Sequence, residues 1–244
     1  MKHTYSILFI GNSYTYYNDM PTAIFMEVAT KNGYQLNVTA ITKGGQKLSQ
    51  FADPEDEYGA MVEKELTGTK KYDYVILQEQ SVRPASDNAS DFYDAVRSLS
   101  ERIRAAGATP VLYATWGRKT GHSVLSQYGW TNESMTWKLA AAYQAIGDEL
   151  GINVVHVGLA FYDVYTAQND IELYDPDKTH PSYLGSYLAA VTLFADIFNV
   201  DPTLLEYKGT LTNDNAKVLC EAARKAAFEP ITIPQEYQTA SKGK

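Results

Sequence analysis

Five short apolar runs, each closed by polar or glycine breakers and separated by stretches of helical periodicity, constrain this chain more than any other feature. Ile7-Leu8-Phe9-Ile10 is wholly apolar and stops at Gly11-Asn12. Gln35–Ile41, Tyr72–Leu77, Pro110–Tyr113 and Ile152–Val157 repeat the pattern. Runs this short read as strands, the first of them fully buried and the third rich in aromatic and β-branched residues. The intervals carry a different period. Phe92, Val96, Leu99 and Ile103 share one face of a helix over 89–105, and Ile24, Phe25 and Val28 do so in a helix from Pro21 to Lys31 that Gly33 closes. Further helices are expected over 58–66, 132–150, 158–167, 181–198 and 213–227. Strand–helix alternation of this kind predicts a parallel sheet covered on both sides, a three-layer α/β/α sandwich with five strands. Phe51–Asp56 reads as a loop, and the glycine-containing stretch Thr115–Gly129 reads as a long loop of the sort that binds a ligand or forms a lid.

No linker composition and no internal repeat divides the 244 residues. The expectation is one domain over 1–228, then a polar tail over 229–244 that frays. A formal charge of −8 works against nucleic acid or an anionic membrane as partner. One cysteine, Cys220, excludes an intrachain disulfide and reads as a small buried hydrophobe in a helix. No cluster of histidine, cysteine and acidic residues has metal-ligand spacing, so neither a metal nor any other cofactor is expected. No run has the length of a membrane span or a signal-peptide core, which makes the cytoplasm the default location; the oligomeric state stays open.

The chemistry lies just beyond the strand ends. In an open parallel sheet of the flavodoxin-like kind, carboxyl-end loops gather around one crevice where ligands bind. Asn12-Ser13 follows the first strand, Gly44-Gly45 the second, Gln80-Ser81 the third and Trp116 the fourth, while Asp177–His180 precedes the long closing helix. A serine hydroxyl needs a neighbouring base before it can attack a carbonyl, and His180 is such a base. Asp177 can hold the imidazole in the right tautomer. The backbone N–H groups of Ser13 and Gly45 and the side-chain amide of Gln80 can meet the charge that develops on the carbonyl oxygen, each donor being worth about 3–4 kcal/mol. Every one of these residues also has a plainer use. Ser13 can cap a turn, Gly44-Gly45 can be a turn and no more, Gln80 can bind backbone, and His180 can rim a helix. The shared location raises the set above its members.

Phe9-Ile10-Gly11-Asn12-Ser13-Tyr14-Thr15, Thr42-Lys43-Gly44-Gly45-Gln46 and Asp177-Lys178-Thr179-His180-Pro181 stand in that order along the chain. So arranged, they resemble the sequence blocks of the SGNH (GDSL-like) hydrolases, and most of all a bacterial subgroup with Gly-Asn-Ser in the first block. The resemblance spans roughly residues 5–198. It implies Ser13 as nucleophile, Gly45 as oxyanion glycine with Gly44 as the alternative register, and Asp177 and His180 as acid and base. The third block departs: where the family has Gly-x-Asn-Asp, this chain has Gln78-Glu79-Gln80-Ser81. Gln80 falls on the asparagine and carries the same amide on a longer stem, whereas Gln78 replaces a glycine and puts the loop geometry in question. Asn12 is the next amide in line, though its position suits support of the Ser13 turn. Candidate substrate contacts are Asn12, Tyr14, Arg83, Trp116 and Arg118, with packing or loop anchoring as the competing use. The resemblance implies a serine esterase acting on short-chain acyl esters, O-acetyl groups on carbohydrates among them, with a small-molecule or carbohydrate ester as its partner. A thioesterase or arylesterase of the same superfamily is one alternative, and a non-enzymatic α/β ligand-binding protein is the other.

Overall fold

In the computed structural model, residues 3–167 and 170–238 are described. Strands β1 (Thr4–Gly11), β2 (Gln35–Thr42), β3 (Tyr74–Leu77), β4 (Thr109–Tyr113) and β5 (Asn153–Val155) form one sheet in the order β2-β1-β3-β4-β5. Every neighbouring pair is parallel. The apolar run of β1 is the reason it lies inside: Ile7, Leu8, Phe9 and Ile10 are all fully buried. Successive side chains of a strand point to opposite faces. Ile7 and Phe9 therefore join one core with Phe25, Val28, Leu188, Val191 and Phe194. Leu8 and Ile10 join the other, with Phe51, Val62, Phe92, Val96, Leu99 and Ile146. Helices Met26–Lys31, Val157–Thr166, Tyr183–Phe198 and Asn213–Phe228 cover the first face, and Glu57–Thr67, Ser90–Ala105 and Asn132–Leu150 the second. The result is the expected three-layer sandwich. Its chain order reverses between β1 and β3, and that switch point is where an open α/β sheet leaves a crevice.

The element boundaries depart from expectation in four places, each for a tertiary reason. Phe51 and Ala52, expected to open a loop, instead end a helix, Leu48–Ala52, whose first N–H is held by the Glu79 carboxylate; residues 53–56 form the loop. Within Thr115–Gly129 no lid emerges: Thr115, Trp116 and Arg118 are buried, and Ser123–Tyr128 is helical, stopped by Gly129 in the left-handed region at φ 66°. The helix expected from Pro21 opens as a wide turn over Met20–Phe25 and is regular only from Met26. Ahead of it Asn18 and Asp19 hold φ values of 55° and 51°, a strained region for residues with a Cβ. Finally, Ile231–Ile233 and helix Gln235–Gln238 lie back along Asn132–Leu150; of the expected tail, residues 239–244 fall outside the described residues, as do Gln168 and Asn169. Among the described residues no helix is long and apolar enough to cross a membrane, and no group of histidine, cysteine and acidic side chains could hold a metal ion.

Candidate active site

β1 ends at Gly11, and the chain turns at once into a one-turn helix, Ser13–Tyr16. Asn12 caps it: its Oδ1 accepts the Tyr14 N–H at 3.1 Å. Ser13 is thus the first helical residue, whose own N–H has no intrahelical acceptor. The turn is pinned from the neighbouring strand end. Gln78, fully buried, accepts the Asn12 N–H and the Thr15 hydroxyl on one oxygen, each at 2.8 Å, and its Nε2 donates to the Glu79 carbonyl. A Cβ on Gly11 would stand 2.7 Å from that oxygen and 2.5 Å from Thr15 Oγ1. Gln78 therefore braces the Asn12–Ser13 turn, and Gly11 makes room for it.

His180 Nε2 lies 2.8 Å from Ser13 Oγ, and His180 Nδ1 lies 2.5 Å from Asp177 Oδ2. A carboxylate only accepts, so Nδ1 carries the proton and the Nε2 lone pair faces the serine hydroxyl. The other carboxylate oxygen, Oδ1, accepts the N–H groups of Thr179 and His180, both at 2.9 Å. Partial burial works to raise the Asp177 carboxyl, but bonds from the His180 ring and from the two N–H groups outweigh it and hold the group below the usual carboxylate value. The loop closes as a small hairpin, with Tyr174 bridged to Pro181 and the Asp175 N–H on the His180 carbonyl at 2.8 Å. Tyr17 stacks flat on the imidazole, ring centres 4.1 Å apart and planes 3° from parallel.

The expected oxyanion donors differ in what surrounds them. Gly45 occupies the third position of a turn closed by Gln46 N–H on the Lys43 carbonyl at 3.2 Å, and its φ is +72°. Glycine is the residue that takes this conformation without cost. A Cβ there would meet nothing within 4 Å, since Gly45 is exposed. Gln80 turns its Oε1 inward to accept the N–H groups of Val82 and Arg83 at 2.9 and 3.1 Å, which leaves its Nε2 as the free end. Asn12 is not a free donor: its Nδ2 is bound to the Gln46 carbonyl at 3.1 Å.

Most of the candidate substrate contacts are held inside the fold. Trp116 is fully buried between Tyr14 (4.6 Å) and Phe161 (3.9 Å), so neither indole face is open to a sugar. Its Nε1 donates to the Thr179 carbonyl at 3.1 Å. Tyr14, also buried, shares a 2.6 Å bond between its hydroxyl and that of Thr179 and accepts from Arg118 Nη1 at 2.7 Å. Arg118 reaches Ser81 Oγ at 2.8 Å with Nη2. Together these three side chains fasten the Asp177–His180 loop to the nucleophile helix. Asn12 is buried in the turn it supports, and Arg83 is bound through Nε to Asp91 at 2.5 Å. Sequence reasoning took Gln78 only as a departure in the third block, and passed over Glu79 and Thr179. The one signal for the first two was a polar run, Gln78-Glu79-Gln80-Ser81, set directly on a fully apolar strand. A groove of about 910 Å³ lies elsewhere, between helices Ser90–Ala105 and Asn132–Leu150, and includes none of these residues.

A doubly wound sandwich with serine, imidazole and carboxylate in line at its switch point is the architecture of a hydrolase. No family model and no curated protein matches the sequence. Among solved structures, an SGNH hydrolase from Slackia heliotrinireducens is 33% identical, with a TM-score of 0.68 over 78% of this chain and 97% of that one. The chain belongs to the SGNH hydrolases. A DUF4886 family protein from Bacteroides uniformis shares the fold more completely, with a TM-score of 0.77 over 96% of this chain and 99% of the other at 20% identity. An acetylxylan esterase from Geobacillus stearothermophilus is similar in fold at 13% identity, with a TM-score of 0.53 over 80% of this chain and 95% of its own.

Proposed function

We propose that this hydrolase is a serine esterase that removes short acyl groups, with O-acetyl groups on carbohydrates as its preferred class, from the subgroup with Gly-Asn-Ser in the first block. The line Ser13 Oγ, His180 Nε2, His180 Nδ1, Asp177 Oδ2, with links of 2.8 and 2.5 Å, carries the reading. Ser13 Oγ attacks the ester carbonyl carbon while His180 Nε2 takes its proton. The carbonyl electrons move to oxygen, where the N–H groups of Ser13 and Gly45 and Gln80 Nε2 receive them. Collapse breaks the bond to the alcohol oxygen, and His180 hands that oxygen the proton. Water, activated by the same imidazole, then releases the acid from the acyl-enzyme. Asp177 stays ionised throughout and steadies the imidazolium. The fold likeness to an acetylxylan esterase supports the carbohydrate preference, as does Tyr16, an exposed ring two residues before the strained Asn18 turn and three after the nucleophile.

The test is an ester panel, from p-nitrophenyl acetate to acetylated xylooligosaccharides, run on the parent beside Ser13→Ala. The variant is expected to keep the parent's circular dichroism and melting temperature while losing at least about two to three orders of magnitude in kcat/KM. Equal rates in the two proteins would remove Ser13 as nucleophile.

A further inference from the structure

Glu79 is wholly buried and has no part in the proton transfers above. Its carboxylate reaches two segments at once. Oε1 accepts the Leu48 N–H at 3.1 Å and the Gln80 N–H at 2.5 Å, and Oε2 stands 3.2 Å from the same Leu48 nitrogen. Leu48 is three residues beyond Gly45, and Gln80 carries the side-chain amide. The backbone of Glu79 is fixed in turn, its N–H donating to the Tyr143 hydroxyl at 2.9 Å. Asn12 holds the Gln46 carbonyl, so the chain leaving the Gly45 turn is tied on two sides, to the Ser13 loop by Asn12 and to the third-strand loop by Glu79.

We propose that Glu79 is the positioning residue of the oxyanion hole, setting the Gly45 N–H and the Gln80 amide relative to each other through one ionised carboxylate. The inference rests on the esterase reading above.

Retaining a charge there opposes folding. Burial raises the Glu79 carboxyl to about 7, against the lowering effect of the Gln80 and Leu48 N–H groups. Asp91, from helix Ser90–Ala105, pushes the same way as burial, and Lys47 pushes against it. Asp91 is itself paired with Arg83 at 2.5 Å and with Lys47 at 3.6 Å, which leaves little positive charge for Glu79. A group whose folded pKa is raised binds more protons folded than unfolded, so between its ordinary value and about 7 the fold gains stability as pH falls. The protonated acid is a poorer acceptor for two N–H groups, so the same protonation slackens the clamp. Stability and turnover are then pulled in opposite directions by one proton, which a structural role alone does not produce.

The experiment compares the parent, Glu79→Gln and Glu79→Leu on p-nitrophenyl acetate from pH 5 to 9, with melting temperatures at each pH and Ser13→Ala as the inactive reference. The glutamine variant is expected to melt at or above the parent at pH 8, yet to lose about tenfold in kcat with KM little changed. The leucine variant, with no acceptor, is expected to lose about a hundredfold, so that glutamine partly rescues it. The acid limb of log kcat should steepen toward two protons in the parent and return to one in Glu79→Gln. If the leucine variant does not fold, Glu79→Gln at pH 8 decides: a tenfold loss of kcat supports the clamp and an unchanged kcat overturns it. Unchanged kcat in Glu79→Gln, with the parent active and Ser13→Ala silent, overturns this role alone. A parent inactive across the panel overturns the esterase reading and this inference with it.

Discussion

Tyr14→Phe separates anchoring from substrate binding. The change removes one oxygen and leaves the ring where it stacks, 4.6 Å from Trp116 and 7° from parallel. Two bonds go with it: the 2.7 Å bond that the phenol accepts from Arg118 Nη1, and the 2.6 Å bond it shares with the Thr179 hydroxyl. Arg118 and Thr179 are each only 8% exposed, so water does not replace the lost partner readily. A bond to a charged group contributes about 1.5–3 kcal/mol and a neutral one about 1 kcal/mol, which puts the loss near 3 kcal/mol. Urea denaturation gives the stability change through the midpoint at constant m, and a cycle with Thr179→Val isolates the neutral bond. Turnover should fall about tenfold as well, because Thr179 donates its N–H to Asp177 and a looser loop moves His180 away from Ser13. A stability change under about 0.5 kcal/mol, or a rise in KM with kcat intact, would refute the anchoring role and return Tyr14 to the substrate side.

The two glycines of the site should each lose stability to one methyl group, for opposite reasons. Gly45→Ala meets open space but a φ of +72°, and should cost about 1 kcal/mol of stability. Gly11→Ala must displace Gln78 and Thr15, and is expected to cost about 1–3 kcal/mol and most of the activity. Melting curves that rank them the other way would count against the packing described at the nucleophile turn. His156, buried and bonded to Gln144 Oε1 at 2.8 Å, has its pKa lowered by burial to about 4. It binds fewer protons folded than unfolded between that value and the ordinary 6.5, so its share of stability is whole above 6.5 and is lost as pH falls toward 4. The swing is about 3 kcal/mol at most, and the difference in unfolding free energy between parent and His156→Gln should track it; a pH-independent difference would show that the ring is not held neutral.

Most of the fold was legible because its strands are nearly pure. Ile7 to Ile10 has one reading, and Asn132–Leu150 begins and ends where its pattern does, between a Thr131 cap and Gly151 at φ 60°. The helix Leu48–Ala52 was hidden because its first N–H is satisfied by a carboxylate from another strand end, a partner that no local window contains. That Ser13 and His180 meet was legible by position, since strand ends on a parallel sheet converge. Which residues face the cleft was not. An aromatic after a strand reads equally as a platform or a plug, and Trp116 is a plug. Gln78 looked like a defect in the third block, and only the 2.8 Å bonds to Asn12 and Thr15 reveal it as the brace of the nucleophile.

The hairpin from Tyr174 to Pro181 makes the acid and the base a preassembled cassette. Asp177 orients His180 through three contacts made within four consecutive residues, so their mutual geometry survives any rigid displacement of the loop. What such a displacement changes is a single long-range parameter, the distance from the imidazole to Ser13. A shift of this loop as a body, whether by mutation or by heating, therefore lengthens the Ser13–His180 contact before it disturbs the Asp177–His180 pair, and restoring the arrangement requires redocking one part rather than rebuilding three.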